Sequence, residues 1–378
     1  MEFEKKYCAS PWRGLHLNFE GQVQTCCAAH PAVLGKNHKG PIEDVLQSDA
    51  IKEVRASIKQ GILHEKYCNG CITRENAGFT SERDWHNNIS PEFDCTTADL
   101  EEHKPALIDV RWNNTCNLAC TYCTSYFSTK WASIVNKKVN QTINTDYQKI
   151  IDYIEKHQES VREVALVGGE PLMMKENDAL LDILPDDVLV TVITNMTTDF
   201  DKMPVPKKLL ARQRVGWSMS FDNIGDRFDY VRWGSSWEQL DKNVSTVSDK
   251  IHNSQQHGGI QAVYTIYNCT RLCELKQYAV NKNLNITWQF VWGDQLDPTQ
   301  HNQMIRNLAI KEIQKFRNTF DVLDAEATWL NNTEEQLKQG NGNKSKEFLK
   351  FTDDVENLWH PDQKGQFAKL WPELAEVL

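Results

Sequence analysis

Six short segments rich in apolar and β-branched residues recur between residues 106 and 292, at 106–112, 163–168, 188–194, 215–221, 260–267 and 285–292. Helix-period stretches separate them. Tyr147, Ile150, Ile151 and Ile154 share one helical face, as do Trp237, Leu240, Val244, Val247 and Ile251, and later Leu272, Leu275 and Ala279. Strand and helix alternating at this interval predict an α/β fold with a parallel sheet and right-handed crossovers. Six units suit an incomplete barrel better than a closed eight-unit one. In that geometry the segments that follow strand C-termini converge on one rim, where barrel sites lie.

Those segments carry the chemistry. Cys116, Cys120 and Cys123 fall in the run TCNLACTYC, directly after the first strand segment, and Gly168-Gly169-Glu170-Pro171 follows the second. Three thiolates at this spacing suit one small soft-metal site. Iron–sulfur clusters normally take four Cys, so three leave a position for a ligand that is not protein. A zinc site or a chance spacing is the alternative for the motif alone. Two glycines permit positive φ and a close backbone approach, and the proline stops the strand.

A second cysteine set precedes the barrel segments. LHLNFEGQVQTCC (15–27) reads as a hairpin around Glu20-Gly21 that delivers Cys26 beside Cys8. Ser48 opens a helix with Ile51, Val54 and Ile58 inward, Gly61 closes it, and the chain then reaches the Cys68-x2-Cys71 pair. Two Cys plus Cys-x2-Cys is also a zinc pattern. Cys27 can exchange roles with Cys26. Cys95, Cys269 and Cys273 are left over, the last two read as small buried hydrophobes.

Cys-x3-Cys-x2-Cys with Tyr122 before the last Cys resembles the signature of radical S-adenosylmethionine (radical SAM) enzymes. The resemblance implies a partial (β/α)6 TIM-type barrel in which Cys116, Cys120 and Cys123 hold a 4Fe-4S cluster whose fourth iron is chelated by SAM. It also implies SAM contacts from Tyr122, from Gly168, Gly169, Glu170 and Pro171, and from Asn195 at the end of VLVTVITNM. Ser218, Ser220 and Asp222 in VGWSMSFD and Arg232 in VRWGSSWEQLDKNV complete that set. The N-terminal cysteines resemble the auxiliary-cluster module called twitch, the first half of the SPASM domain, which implies a second 4Fe-4S cluster on Cys8, Cys26, Cys68 and Cys71. In better-known members this module follows the barrel, whereas here it precedes it. The expected organisation is an auxiliary module over 1–95, the barrel over 104–295 and a helical extension over 296–378. The Trp- and Leu-rich end of that extension either packs over the open barrel edge or covers a substrate.

The resemblance implies reductive cleavage of SAM to a 5′-deoxyadenosyl radical that abstracts a substrate hydrogen, with a flavodoxin- or ferredoxin-type electron donor. Auxiliary-cluster members mostly modify peptides or proteins, so a peptide or protein is the leading expectation. A small-molecule dehydrogenase and a non-catalytic metal-binding protein are the alternatives. No residue stands out as a catalytic base, although His16, Asp109, Arg111 and Trp112 lie near the cluster-bearing segments. The 378-residue chain has no run of transmembrane length, and MEFEKKYCAS lacks the apolar stretch of a signal peptide. Its eleven cysteines are therefore expected reduced, with the two sets binding metal, in the cytoplasm. A formal charge of −10 argues against a non-specific nucleic-acid surface, which needs clustered Lys and Arg.

Overall fold

The computed structural model describes residues 6–29, 41–76, 80–136, 147–291, 293–359 and 364–378. Its strands are β1 (Gly14–Leu17), β2 (Val23–Gln24), β3 (Leu107–Val110), β4 (Ala119–Cys120), β5 (Glu163–Leu166), β6 (Leu189–Thr194), β7 (Val215–Ser220), β8 (Arg232–Trp233), β9 (His257–Tyr264) and β10 (Asn285–Phe290). The chain forms two compact units. The first is Met1–Thr115, Asn140–Ile193 and Phe200–Gly216, and the second is Cys116–Val139, Thr194–Asp199 and Trp217–Leu378. The class is α/β with mostly parallel strands and a helical C-terminal region, as expected. Among the described residues no helix is long and apolar enough to cross a membrane.

In the first unit the sheet order is β6-β5-β3-β1-β2. All its pairs are parallel except β1 with β2. β3 and β5 are buried along their whole length, as parallel strands between two layers are. The helix Tyr147–Lys156 buries Ile150, Ile151 and Ile154 of its predicted face and Tyr153 in addition, with Tyr147 half-buried. The helix Asp49–Lys59 starts where Ser48 Oγ accepts from the Ile51 amide, and Gly61 beyond its end has φ +79°. It packs Ile51, Val54 and Ile58 into one core with Cys8, Trp12, Cys26, Tyr67 and Cys95.

The hairpin forms as predicted, with His16 opposite Gln24 and Gly21 at φ +74°. It has a second partner that the sequence did not reveal. β1 also pairs in parallel with β3, from Gly14 opposite Leu107 to Leu17 opposite Val110. The reason is that β1 is buried at every position, and a buried strand must satisfy the amides and carbonyls of both edges. β2 serves one edge and β3 the other, so the cysteine-bearing N-terminal segment shares a sheet with the first strand of the α/β region.

In the second unit the order is β10-β9-β7, with Trp288 of β10 opposite Ala262 of β9. The pair β4–β8 is a separate two-stranded antiparallel ribbon. Helix Trp237–Asn253 buries Leu240, Val244 and Val247 of its predicted face and leaves Trp237 and Ile251 half-buried, while Leu272–Asn281 buries Leu272, Leu275 and Ala279 as predicted. One C-terminal helix packs against the terminal strand: Trp329 of Asp324–Gln339 stacks on Trp288, the one buried residue of β10, at 5.2 Å and 18°. Nearer the end, Trp371 is wholly buried and its Nε1 donates to the Tyr267 carbonyl at 2.7 Å.

Candidate functional site

The three-cysteine loop lies in the second unit and is tied down at several points. Thr129 Oγ1 bonds both the amide and the carbonyl of Cys116, at 3.1 Å each. Cys120 sits on β4 opposite Arg232 of β8, and its carbonyl accepts from Trp131 Nε1 at 2.8 Å. The Cys123 amide turns back to the Cys120 carbonyl at 3.0 Å. Asn195 follows β6 and donates to Asn117 Oδ1 at 2.9 Å, with its Nδ2 3.9 Å from Cys116 Sγ. Its loop turns through Met196 at φ +60°, and the buried Asn243 secures it by donating to the carbonyls of Met196 and Thr198. Burial pushes the Cys120 thiol up to about 12 and Cys123 up to about 11. Both are therefore protonated thiols until a metal displaces the proton.

Tyr122, Asp222 and Arg232 are brought together in the same unit. Tyr122 OH donates to Asp222 Oδ2 at 2.5 Å, Arg232 Nε donates to the same oxygen at 3.0 Å, and the Val263 amide donates to Oδ1 at 2.7 Å. Ser218 Oγ donates to Gln261 Oε1 of β9 at 2.5 Å, and Ser220 ends β7 two residues before Asp222.

The Gly168–Pro171 turn belongs to the first unit. Gly168 has φ +131°. A Cβ on Gly169 would stand 2.3 Å from the Thr115 carbonyl, so only glycine admits this approach. Glu170 is fully buried, its amide donates to Thr115 O at 2.7 Å, and its Oε1 caps the following turn by accepting from the Leu172 amide. Also in this unit, Asp109 forms a bidentate pair with Arg111 and lies 3.2 Å from His16 Nδ1. These two neighbours hold its carboxyl well below the usual range despite burial, the largest opposing influence.

The N-terminal cysteines also meet. Cys8, Cys26, Cys68 and Cys71 line one pocket of about 350 Å³ of atom-free space, partly open to solvent, together with Tyr67 and Arg83. Cys27 is not among its lining residues, which distinguishes it from Cys26. Burial pushes the Cys8 thiol well up and Cys68 up to about 11, and the Arg83 guanidinium works against this at both. Among the described residues no three His, Cys, Asp or Glu side chains close on a point that a single metal ion would fill. Arg83, Asn117, Asn243 and Gln261 were not foreseen as site residues. Only Asn243 gave a signal, as a polar residue on an otherwise apolar helix face.

Residues 110–260 match the model of the Radical SAM superfamily, and residues 8–72 match SPASM, an iron–sulfur cluster-binding domain. The chain belongs to the radical SAM superfamily of enzymes. It carries the auxiliary SPASM domain ahead of the radical SAM domain, and these two domains imply iron–sulfur clusters and SAM binding. Solved structures similar to parts of the chain include native anSMEcpe with bound AdoMet, at 15% identity and TM-score 0.41 over 56% of this chain and 61% of that one. Streptococcus suis SuiB bound to its precursor peptide SuiA aligns at 13% identity and TM-score 0.43 over 75% and 53%. TYW1 with a lysine-pyruvate adduct aligns at 14% and 0.35 over 59% and 76%. The chain thus spans about three fifths of the length of anSMEcpe. No curated protein sequence matches it.

Proposed function

We propose that this radical SAM enzyme modifies a peptide or protein, using a 4Fe-4S cluster on Cys116, Cys120 and Cys123 and a second on Cys8, Cys26, Cys68 and Cys71. The observation that carries the reading is that the seven cysteines fall into two sets, each held in its own surroundings and each within one matched domain. The donor chemistry fits. Around one zinc, thiolates crowd onto a single ion at about 2.3 Å, whereas cluster ligands each hold a different iron and stand further apart. Four thiols lining one pocket supply the donor number that a 4Fe-4S cluster takes.

When bound, the cluster and SAM supply an electron and a 5′-deoxyadenosyl radical that removes a substrate hydrogen. The chain's own part is to bind, orient and exclude water. Asn195 orients Cys116, and Trp131 and β8 hold Cys120 in a dry setting. The Gly168–Pro171 turn, Asn195, Ser218 and Ser220 are the proposed SAM contacts, and Glu170 is held in place by its amide bond to Thr115 O and by the Leu172 amide on Oε1. A peptide substrate is favoured by the auxiliary domain, whose bearers mostly act on peptides. A flavodoxin- or ferredoxin-type donor, a cytoplasmic location and the organisation 1–95, 104–295 and 296–378 belong to the same reading.

The test is iron, sulfide and zinc per chain after anaerobic reconstitution, for the wild type and the Cys116/Cys120/Cys123 triple Ala variant. About eight irons falling to about four is expected. About four irons with one zinc, falling to zinc alone, would replace the auxiliary cluster by a structural zinc. Iron unaffected by the triple substitution would refute the radical SAM ligand set. The same triple variant is expected to form no 5′-deoxyadenosine with SAM and reductant.

A further inference from the structure

Asp222 has both carboxylate oxygens engaged: Oδ1 by the Val263 amide, and Oδ2 by Tyr122 OH and Arg232 Nε. Asp222 is 1% exposed and Arg232 5%. A buried ion pair persists only when hydrogen bonds of this quality offset its desolvation. The place of the pair is as telling as its geometry. Arg232 lies across the β4–β8 ribbon from Cys120, its guanidinium sits 5.4 Å from the centre of the Tyr122 ring, and Tyr122 is flanked by Cys120 and Cys123 within two residues. The carboxylate is saturated by protein donors, and the guanidinium commits its Nε to it.

We propose that Tyr122, Asp222 and Arg232 form an electrostatic lock behind the three-cysteine loop, positioning Cys120 and Cys123 and setting the reduction potential of the cluster they hold. The inference rests on the cluster assigned above. Reduction adds one negative charge to the cluster. A fixed guanidinium nearby favours that step and a fixed carboxylate disfavours it, and at short range in a buried site each effect is substantial. The two charged residues therefore act with opposite sign, which no purely structural role requires.

The experiment is a redox titration of the full-length, iron- and sulfide-loaded chain without SAM. It follows the paramagnetic resonance of the reduced cluster after subtracting the auxiliary signal, which is recorded in the Cys116/Cys120/Cys123 triple Ala variant. Arg232→Gln is expected to lower the reduced-to-oxidised ratio at fixed potential about tenfold, which is about 59 mV for one electron. Asp222→Asn is expected to raise it, and Arg232→Lys to return it close to wild type. Shifts of the same sign in Arg232→Gln and Asp222→Asn, or no shift in either, overturn the proposal. A loss of SAM affinity alone in Arg232→Gln does so as well, and makes that residue a direct SAM contact. If Arg232→Gln retains no cluster, Asp222→Asn and Arg232→Lys decide: a raised ratio in the former with a near-normal ratio in the latter supports the lock, and any other pattern refutes it. Iron content unchanged by the triple Ala substitution would remove the underlying cluster assignment, and the lock with it.

Discussion

Side chains that hold the site come from far along the chain: Tyr122 and Asp222 are 100 residues apart yet share a 2.5 Å hydrogen bond. His103 shows the same economy in the first unit. Its Nε2 donates to the Gly14 carbonyl and its Nδ1 accepts from Tyr153 OH, both at 2.8 Å, which fixes a neutral ring. Burial lowers its pKa to about 3, against about 6.5 in an unfolded chain. A depressed folded pKa gives stability that is present above the unfolded value and is lost as pH falls from there toward the folded one. The first unit should therefore lose about 2 kcal/mol between pH 7.5 and pH 5 through this residue. Urea midpoints at both pH values check this, and His103→Gln should lose less. Equal losses in the two proteins would contradict it. Cysteines and the Gly-Gly-Glu-Pro turn were legible because their residue types announce a chemistry. Arg83, Asn117 and Gln261 were not, because each acquires its part only through a partner that the topology delivers.

The six strands and three helical faces were legible from periodicity, since a buried face leaves its repeat in the sequence. The pairing of β1 with β3 was not. A hairpin's turn and alternation specify its own register but say nothing about which outside strand will complete its free edge. The C-terminal helices present the same limit, because Trp329 and Trp371 read only as large apolar residues until Trp288 and Tyr267 meet them. Trp371 is an anchor of this region, stacked on Phe367 and set edge-on to Tyr230. Trp371→Ala should destabilise the second unit by about 3–5 kcal/mol, the usual cost of emptying a large core site, with the Tyr267 carbonyl left unpaired in addition. Chemical denaturation measures this, and a loss below about 1 kcal/mol would mean that the tail rests on the surface.

At the scale of the molecule, neither unit is a continuous stretch of chain, since each collects three separate segments. The pocket of Cys8, Cys26, Cys68 and Cys71 belongs to the unit whose sheet includes β3 and β5. Loss of the metal proposed for this pocket should therefore be felt beyond it. In Cys68→Ser, hydrogen exchange at the amides of β3 is expected to quicken together with that of β1, because metal binding and folding are one equilibrium where they share a core. Full protection of β3 beside a fast-exchanging β1 would show the two to be independent. The parallel pairing of β1 with β3 also sets an order of events during synthesis. Gly14 must wait for Leu107, an interval of roughly 5–19 s at about 5–20 residues per second. Over its last 36 residues, from Cys71 to Leu107 and roughly 2–7 s, the hairpin and all four pocket cysteines have been made while one edge of β1 stands open. Metal that arrives early meets the pocket before its sheet exists, so the timing of iron supply bears on whether that edge finds β3 or another chain.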